Sequence, residues 1–176
     1  MAEQYDFVIV GAGTAGCVLA NRLTACGKYT VCLLEAGPPD WNPMIHIPAG
    51  FMKTIANPSV NWLYQSEPCP GTNGRTIPMP RGKVIGGSSS INGLIFSRGQ
   101  KMDFDVWAQK GNRGWSYDDV LPYFCRYESH ENSVNNNFRG KSGEMTITDL
   151  EWRDPLCEAF IKGAESIGIP RNPDYN

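Results

Sequence analysis

Gly11, Gly13 and Gly16 stand in the spacing G-x-G-x-x-G, directly after the apolar run Phe7 to Val10 and at the start of a stretch that reads as a helix. That arrangement is suited to holding a pyrophosphate. Gly11 lets a strand turn tightly, Gly13 lets the backbone come close to the phosphates, and Gly16 lets the helix pack on the sheet. The helix start, with Thr14 and Ala15, offers free N–H groups and a partial positive charge. A second apolar run, Val31 to Leu34, ends in Glu35, 19 residues beyond Gly16, and Ala36 follows it. A carboxylate at that point can accept hydrogen bonds from a ribose. FAD and NAD both present the required ADP half. A glutamate rather than an arginine disfavours the 2′-phosphate of NADP. The competing reading is a glycine-rich turn in an ordinary βαβ unit that binds nothing.

A second glycine-rich stretch, residues 81–96, reads RGKVIGGSSSINGLIF. Gly86 and Gly87 permit close backbone approach. Each of the three serines that follow, Ser88 among them, can cap a helix through its hydroxyl. Arg81 and Lys83 add positive charge. Taken alone, the stretch fits equally an anion or polar-ring site and a capped helix beside two exposed basic residues.

The elements that must position these residues are legible. Tyr5–Val10 reads as a buried strand, Thr14–Cys26 as a helix stopped by Gly27, and Tyr29–Glu35 as a second strand. Together they predict one right-handed βαβ unit over residues 5–36. Residues 37–80 are punctuated by proline and glycine, with one helical turn near Gly50–Ile55. Trp62–Gln65 and Ile77–Pro80 are expected to pair as short strands across the turn Pro70–Gly74. Helices are expected over Met102–Gln109, stopped by Gly111, and over Val120–Glu128. The latter is preceded by the capping-box pair Ser116 and Asp119 and tolerates Pro122 near its start. His130 to Ser142 is an asparagine-rich surface loop and Glu144–Thr148 a strand. Asp154 and Pro155 open a last helix with Leu156, Phe160, Ala164 and Ile167 on one apolar face, ended by Gly168. Ile169–Asn176 reads as coil.

Composition narrows the function classes. The 176 residues carry 16 basic and 18 acidic side chains, net charge −2, which is no surface for nucleic acid. A hydrophobic content of 41% supports a core. Phe7 to Ala20 is no export signal, because Glu3 and Asp6 precede it and glycines interrupt it. No apolar run has the length of a membrane span. Six cysteines without C-x-x-C spacing indicate a reducing, cytoplasmic setting and no zinc site.

The stretch Gly82–Asn92, with Phe96, Gly99 and Asp105, closely resembles a signature of the glucose–methanol–choline (GMC) flavoprotein oxidoreductases. The first glycine motif, the strand end Leu34-Glu35-Ala36-Gly37, Asn61-Trp62, and the stretch Ala159–Asn176 resemble the same family, so the similarity covers essentially the whole chain. The resemblance implies an α/β, Rossmann-like FAD-binding fold, incomplete here. It makes residues 81–105 the flavin-contacting motif and residues 106–176 a helical and strand extension. It implies FAD rather than NAD, with Glu35 on the adenosine ribose, and Val84, Gly86, Gly87, Asn92, Gly93, Leu94 and Ile95 as cofactor neighbours, which Arg81 by its charge and Ser88 by its hydroxyl are expected to join. Trp62 lies in a segment that approaches the cofactor or anchors a loop. Some relatives link a histidine covalently to the flavin. Ile91 occupies that position here, so noncovalent FAD is expected.

The family's reaction removes a hydride from an alcohol carbon to flavin N5 while a histidine takes the hydroxyl proton, and oxygen or a quinone then reoxidises the flavin. This chain has only His46 and His130, and neither matches the family's catalytic pair. Both are expected to be surface or loop residues. The resemblance therefore implies the N-terminal portion of a longer enzyme, with the substrate domain and catalytic histidines beyond Asn176. A lyase or photodecarboxylase of the same fold, or a non-catalytic nucleotide-binding portion, remain the competing functions.

Overall fold

The computed structural model describes residues 3–130 and 137–172. Parts of the asparagine-rich loop (residues 131–136) and of the terminal coil (residues 173–176) therefore lie outside the described residues. The chain divides into two compact units, Met1–Ile95 and Phe96–Asn176.

The first unit opens with β1 (Phe7–Val10), α1 (Thr14–Thr24) and β2 (Val31–Leu34). β1 and β2 pair in parallel, from Phe7 opposite Val31 to Val10 opposite Leu34. The Gly11 N–H extends the ladder to the Leu34 carbonyl at 2.7 Å. α1 closes where the Gly27 N–H returns to the Thr24 carbonyl, 2.9 Å away. Two short helices follow, α2 (Pro43–His46) and α3 (Phe51–Thr54). Then β3 (Tyr64–Gln65) pairs antiparallel with β4 (Pro78–Met79), as the strand-like spacing predicts.

The core lies elsewhere than expected. Its buried apolar side chains are Val60, Val84 and Ile91, with Ile45 packed against them. β1 is not a buried strand: Val8 is 60% and Val10 84% exposed. The physical reason is that the β1–β2 sheet has only two strands and α1 packs on it from the Ile9 side, with no second layer over its other face among the described residues. Cys26 lies past the end of α1 and is exposed.

The second unit holds α4 (Lys101–Gln109) and α5 (Tyr117–Tyr127), then β5 (Glu128–His130), β6 (Met145–Ile147) and α6 (Pro155–Ser166). Ser116 and Asp119 form the expected capping box, and Gln100 with Asp103 forms a second one at α4. Phe104 meets Trp107, Tyr117 and Phe124 between α4 and α5. The Asp154 side chain accepts the Leu156 N–H at 2.7 Å and so caps α6. The apolar positions of α6 do line up, but Leu156, Phe160 and Ile167 are exposed.

His130 is a correction to the surface-loop reading. It ends β5, which pairs in parallel with β6, and it is buried. Its Nε2 lies 3.1 Å from Asp149 Oδ1. Beside it Glu128 is fully buried and meets both Arg98 and Arg139. Two arginines compensate the buried carboxylate, which is the condition for placing a charge there. Burial also pushes the Tyr127 hydroxyl above its ordinary range, against the opposing pull of Arg98.

The sheet entrance is clasped by Asp6, whose carboxylate accepts the Thr30 N–H at 2.7 Å and its hydroxyl at 2.8 Å. The backbone bond first, and the hydroxyl second, hold the Asp6 carboxyl below its ordinary value. A lowered folded-state pKa stabilises the fold above the ordinary carboxyl range, and that contribution disappears as pH falls through the lowered value. Asp6→Asn should therefore lower the melting temperature at neutral pH, and the difference from wild type should vanish on acidification, read by thermal denaturation across pH.

Candidate functional site

α1 begins without a conventional cap. Its N-cap is Gly13, no side chain caps it, and its first turn holds no acidic residue. The N–H groups of Gly13, Thr14, Ala15 and Gly16 have no acceptor within the helix, as at any helix start. The helix dipole adds positive potential at that end. Gly16 is buried, and a Cβ there would run into the Gly11 carbonyl. This is the close helix–strand approach the motif predicts.

Glu35 does more than end a strand. Its Oε2 accepts the Ala12 N–H at 2.8 Å and its Oε1 accepts the Gly37 N–H at 2.9 Å. One carboxylate thereby ties the first glycine loop to the end of β2.

The second glycine stretch lies against the first. The Gly86 N–H donates to the Ala12 carbonyl at 2.7 Å, and Gly13 and Gly86 form a parallel bridge. The Ile85 N–H donates to the Pro38 carbonyl at 3.1 Å. Gly87 has φ +59°, and a Cβ on it would stand 2.7 Å from the Gly13 Cα. Only glycine meets both demands.

The serines do not cap a helix. They form one short 3-10 turn, Gly87–Ser90, whose N-cap is Gly86. The Ser88 hydroxyl accepts the Gly82 N–H at 3.1 Å, and the Ser90 hydroxyl donates to the Ile85 carbonyl at 2.8 Å. Ser89 likewise donates to the Gly86 carbonyl. Capping needs a regular helix to follow, and none does. The hydroxyls lock the loop instead.

These segments enclose a cleft of about 580 Å³, within the range of small-molecule sites. It is lined by Gly11, Gly13, Glu35, Ala36, Trp62, Arg81, Gly87 and Ser88, together with Val10, Leu34 and Gly82, which sequence reasoning missed. Val10 and Leu34 end the parallel strands, where open α/β sheets bind ligands, and that position was the available signal. Gly82 is a glycine for a packing reason, since a Cβ there would strike the Gly87 carbonyl.

The remaining sequence candidates stand apart from the lining. Thr14 and Ala15 are exposed at the helix start, while Val84 is fully buried in the core. Gly86 acts through its backbone bond. Asn92, Gly93, Leu94 and Ile95 run on as an exposed segment, with the Asn92 side-chain Oδ1 accepting the Leu94 N–H at 3.0 Å. His46 is exposed, its Nε2 2.7 Å from the Asp40 carbonyl, and does not line the cleft. Among the described residues no cluster of metal-ligating side chains occurs.

A parallel βαβ unit with an uncapped helix start facing two glycine loops defines a dinucleotide-binding α/β fold. The GMC oxidoreductase family model matches residues 5–176, and the chain belongs to that family. The chain is 46% identical to an oxygen-dependent choline dehydrogenase of Rhizobium rhizogenes, over 98% of this chain and 31% of the relative. Among solved structures it is similar to a pyridoxine 4-oxidase from Mesorbium loti (36% identity, TM-score 0.90), covering 98% of this chain and 34% of that one. It is also similar to a formate oxidase of Aspergillus oryzae characterised for modification of its FAD (32% identity, TM-score 0.84), covering 94% and 31%. The chain thus spans about a third of these proteins' length.

Gly87→Ala should destabilise the first unit by about 2–4 kcal/mol, from left-handed strain plus the clash with Gly13. Chemical denaturation of the variant and wild type measures this directly.

Proposed function

We propose that this chain holds FAD, noncovalently, for a GMC-type oxidoreductase that oxidises a CH–OH group of a small alcohol, choline among the candidates. The observation that carries the reading is the uncapped start of α1 with Gly87 against Gly13 in one cleft. The donors fit a pyrophosphate: they are backbone N–H groups with positive potential behind them. Glu35, Ala36 and the strand ends Val10 and Leu34, which line the cleft, are the proposed contacts of the adenosine half. Glu35 keeps lone pairs beyond the two backbone N–H groups it accepts, so a ribose hydroxyl can still bond to it. Arg81 supplies positive charge at the cleft wall.

Bound FAD would supply hydride acceptance at the flavin N5. The exposed Asn92–Ile95 segment, with Val84, Gly86 and Ser88, is our proposed flavin half, a reading supported by the resemblance of this glycine stretch to the family signature. Ile91 supports noncovalent binding, because it carries no nucleophile and is packed with Val60 and Val84. The base that takes the alcohol proton is assigned outside these residues, since neither histidine lines the cleft. Oxygen or a quinone is the proposed electron acceptor. A net charge of −2 offers nothing to nucleic acid. Among the described residues no helix is long and apolar enough to cross a membrane. The scattered cysteines favour a reducing, cytoplasmic compartment.

The protein carrying this chain should purify yellow, release its flavin on heat denaturation, and bleach in the dark when choline or another primary alcohol is added without acceptor. Glu35→Gln, which leaves one of two backbone N–H groups facing an amide, should weaken FAD binding by about tenfold. A colourless protein that takes up no FAD on reconstitution overturns the proposal.

A further inference from the structure

Asn61 is 2% exposed and does not line the cleft. Its side chain nevertheless makes three of the four hydrogen bonds available to an amide. The Nδ2 group donates to the Ile55 carbonyl at 2.6 Å. The Oδ1 atom accepts the Leu63 N–H and the Arg81 N–H, each at 3.0 Å. The backbone reinforces the same junction. Asn61 bridges Gly82 in antiparallel fashion, and the Trp62 N–H donates to the Arg81 carbonyl at 2.9 Å.

Two of these bonds act on the cleft wall. The bond to the Arg81 N–H, reaching across 20 residues, sets Arg81 beside Trp62. The bond to the Leu63 N–H closes a turn in which Leu63 has φ +54°, a left-handed conformation that costs a leucine. This bend sets Trp62 and Tyr64 on one side of the chain. Their rings stack with centroids 5.9 Å apart and planes 4° apart. The Lys83 ammonium lies 4.7 Å from the Trp62 ring centroid.

We propose that Asn61 is a positioning residue: without touching the cofactor, it fixes where the Trp62 ring and the Arg81 guanidinium meet a dinucleotide in the cleft. The proposal rests on the FAD reading above. It extends that reading to a residue that acts only through Leu63 and Arg81.

Double-mutant coupling tests it on the purified holoprotein and the apoprotein prepared from it. Asn61→Ala should weaken FAD binding by about tenfold or more, the size expected for stranding buried backbone groups. It should also abolish the near-ultraviolet circular dichroism band of the Trp62–Tyr64 stack in the apoprotein. Adding Leu63→Gly, which removes the left-handed strain, should restore much of the band. In a Trp62→Ala/Arg81→Ala background the same Asn61 change should cost less than about threefold, because the groups it positions are gone. Equal losses in both backgrounds, or FAD binding by Asn61→Ala within about twofold of wild type, would overturn the proposal. If Asn61→Ala does not fold, Asn61→Leu carries the same comparison, since it fills nearly the same volume but removes the acceptor toward Leu63 and Arg81. If wild type takes up no FAD, the functional reading fails. The Asn61 coupling is then decided on the dichroism band, which needs no flavin: a band unchanged by Asn61→Ala overturns it.

Discussion

The peptide unit around Ala12 joins the parts of the first unit. Its N–H is accepted by Glu35 at the end of β2, and its carbonyl accepts the Gly86 N–H from a segment more than 70 residues away. The Cys17 thiol, in the first turn of α1, donates to the same carbonyl at 3.3 Å. With both polar groups of Ala12 committed inward, the flanking glycines, Gly11 and Gly13, are left to face the cleft. The residue is an alanine, 1% exposed, with no chemistry of its own. Its neighbours determine what its backbone does.

That joint needs support from behind, and the core supplies it. Val84 sits between Lys83, whose N–H donates to the Val60 carbonyl, and Ile85, whose N–H donates to the Pro38 carbonyl. The buried cluster of Val60, Val84 and Ile91 therefore anchors the second glycine stretch, while hydrogen bonds set its register beside the first. The two units solve the problem of cohesion differently. The first relies on backbone hydrogen bonds and a small apolar cluster. The second has a buried carboxylate, Glu128, held between Arg98 and Arg139, with aromatic rings packed around Phe104. Burying an ion group is costly, and the second arginine makes it tolerable.

Much of this was legible in sequence where local rules dominate. The βαβ unit, the β3–β4 pair, the Ser116 capping box and the Asp154 cap follow from short-range spacing and turn chemistry, and each was placed within a few residues. Where tertiary partners decide, local reading failed. The β1 run is apolar enough for a buried strand but is covered only from the α1 side among the described residues. The serines after Gly87 satisfy their hydroxyls on nearby backbone because no regular helix follows them to cap. His130 follows α5 too closely for a three-residue strand to show a pattern, so its burial was invisible. Ala12 sits within the first glycine motif and Asn61 within the Asn61-Trp62 pair, but residue type and spacing show nothing of the partners that each bonds. The bonds that matter most, from Ala12 to Glu35 and Gly86 and from Asn61 to Arg81, reach across 20 residues or more.

The two glycine stretches, joined at Ala12, act as one ligand cradle if a bound nucleotide quiets both at once. Hydrogen–deuterium exchange on the purified apoprotein, with and without added ADP or FAD, tests it most directly. Ligand should slow exchange in residues 11–17 and 81–88 together, with no change in α6. Protection of only one stretch, or of neither at saturating ligand, would contradict it.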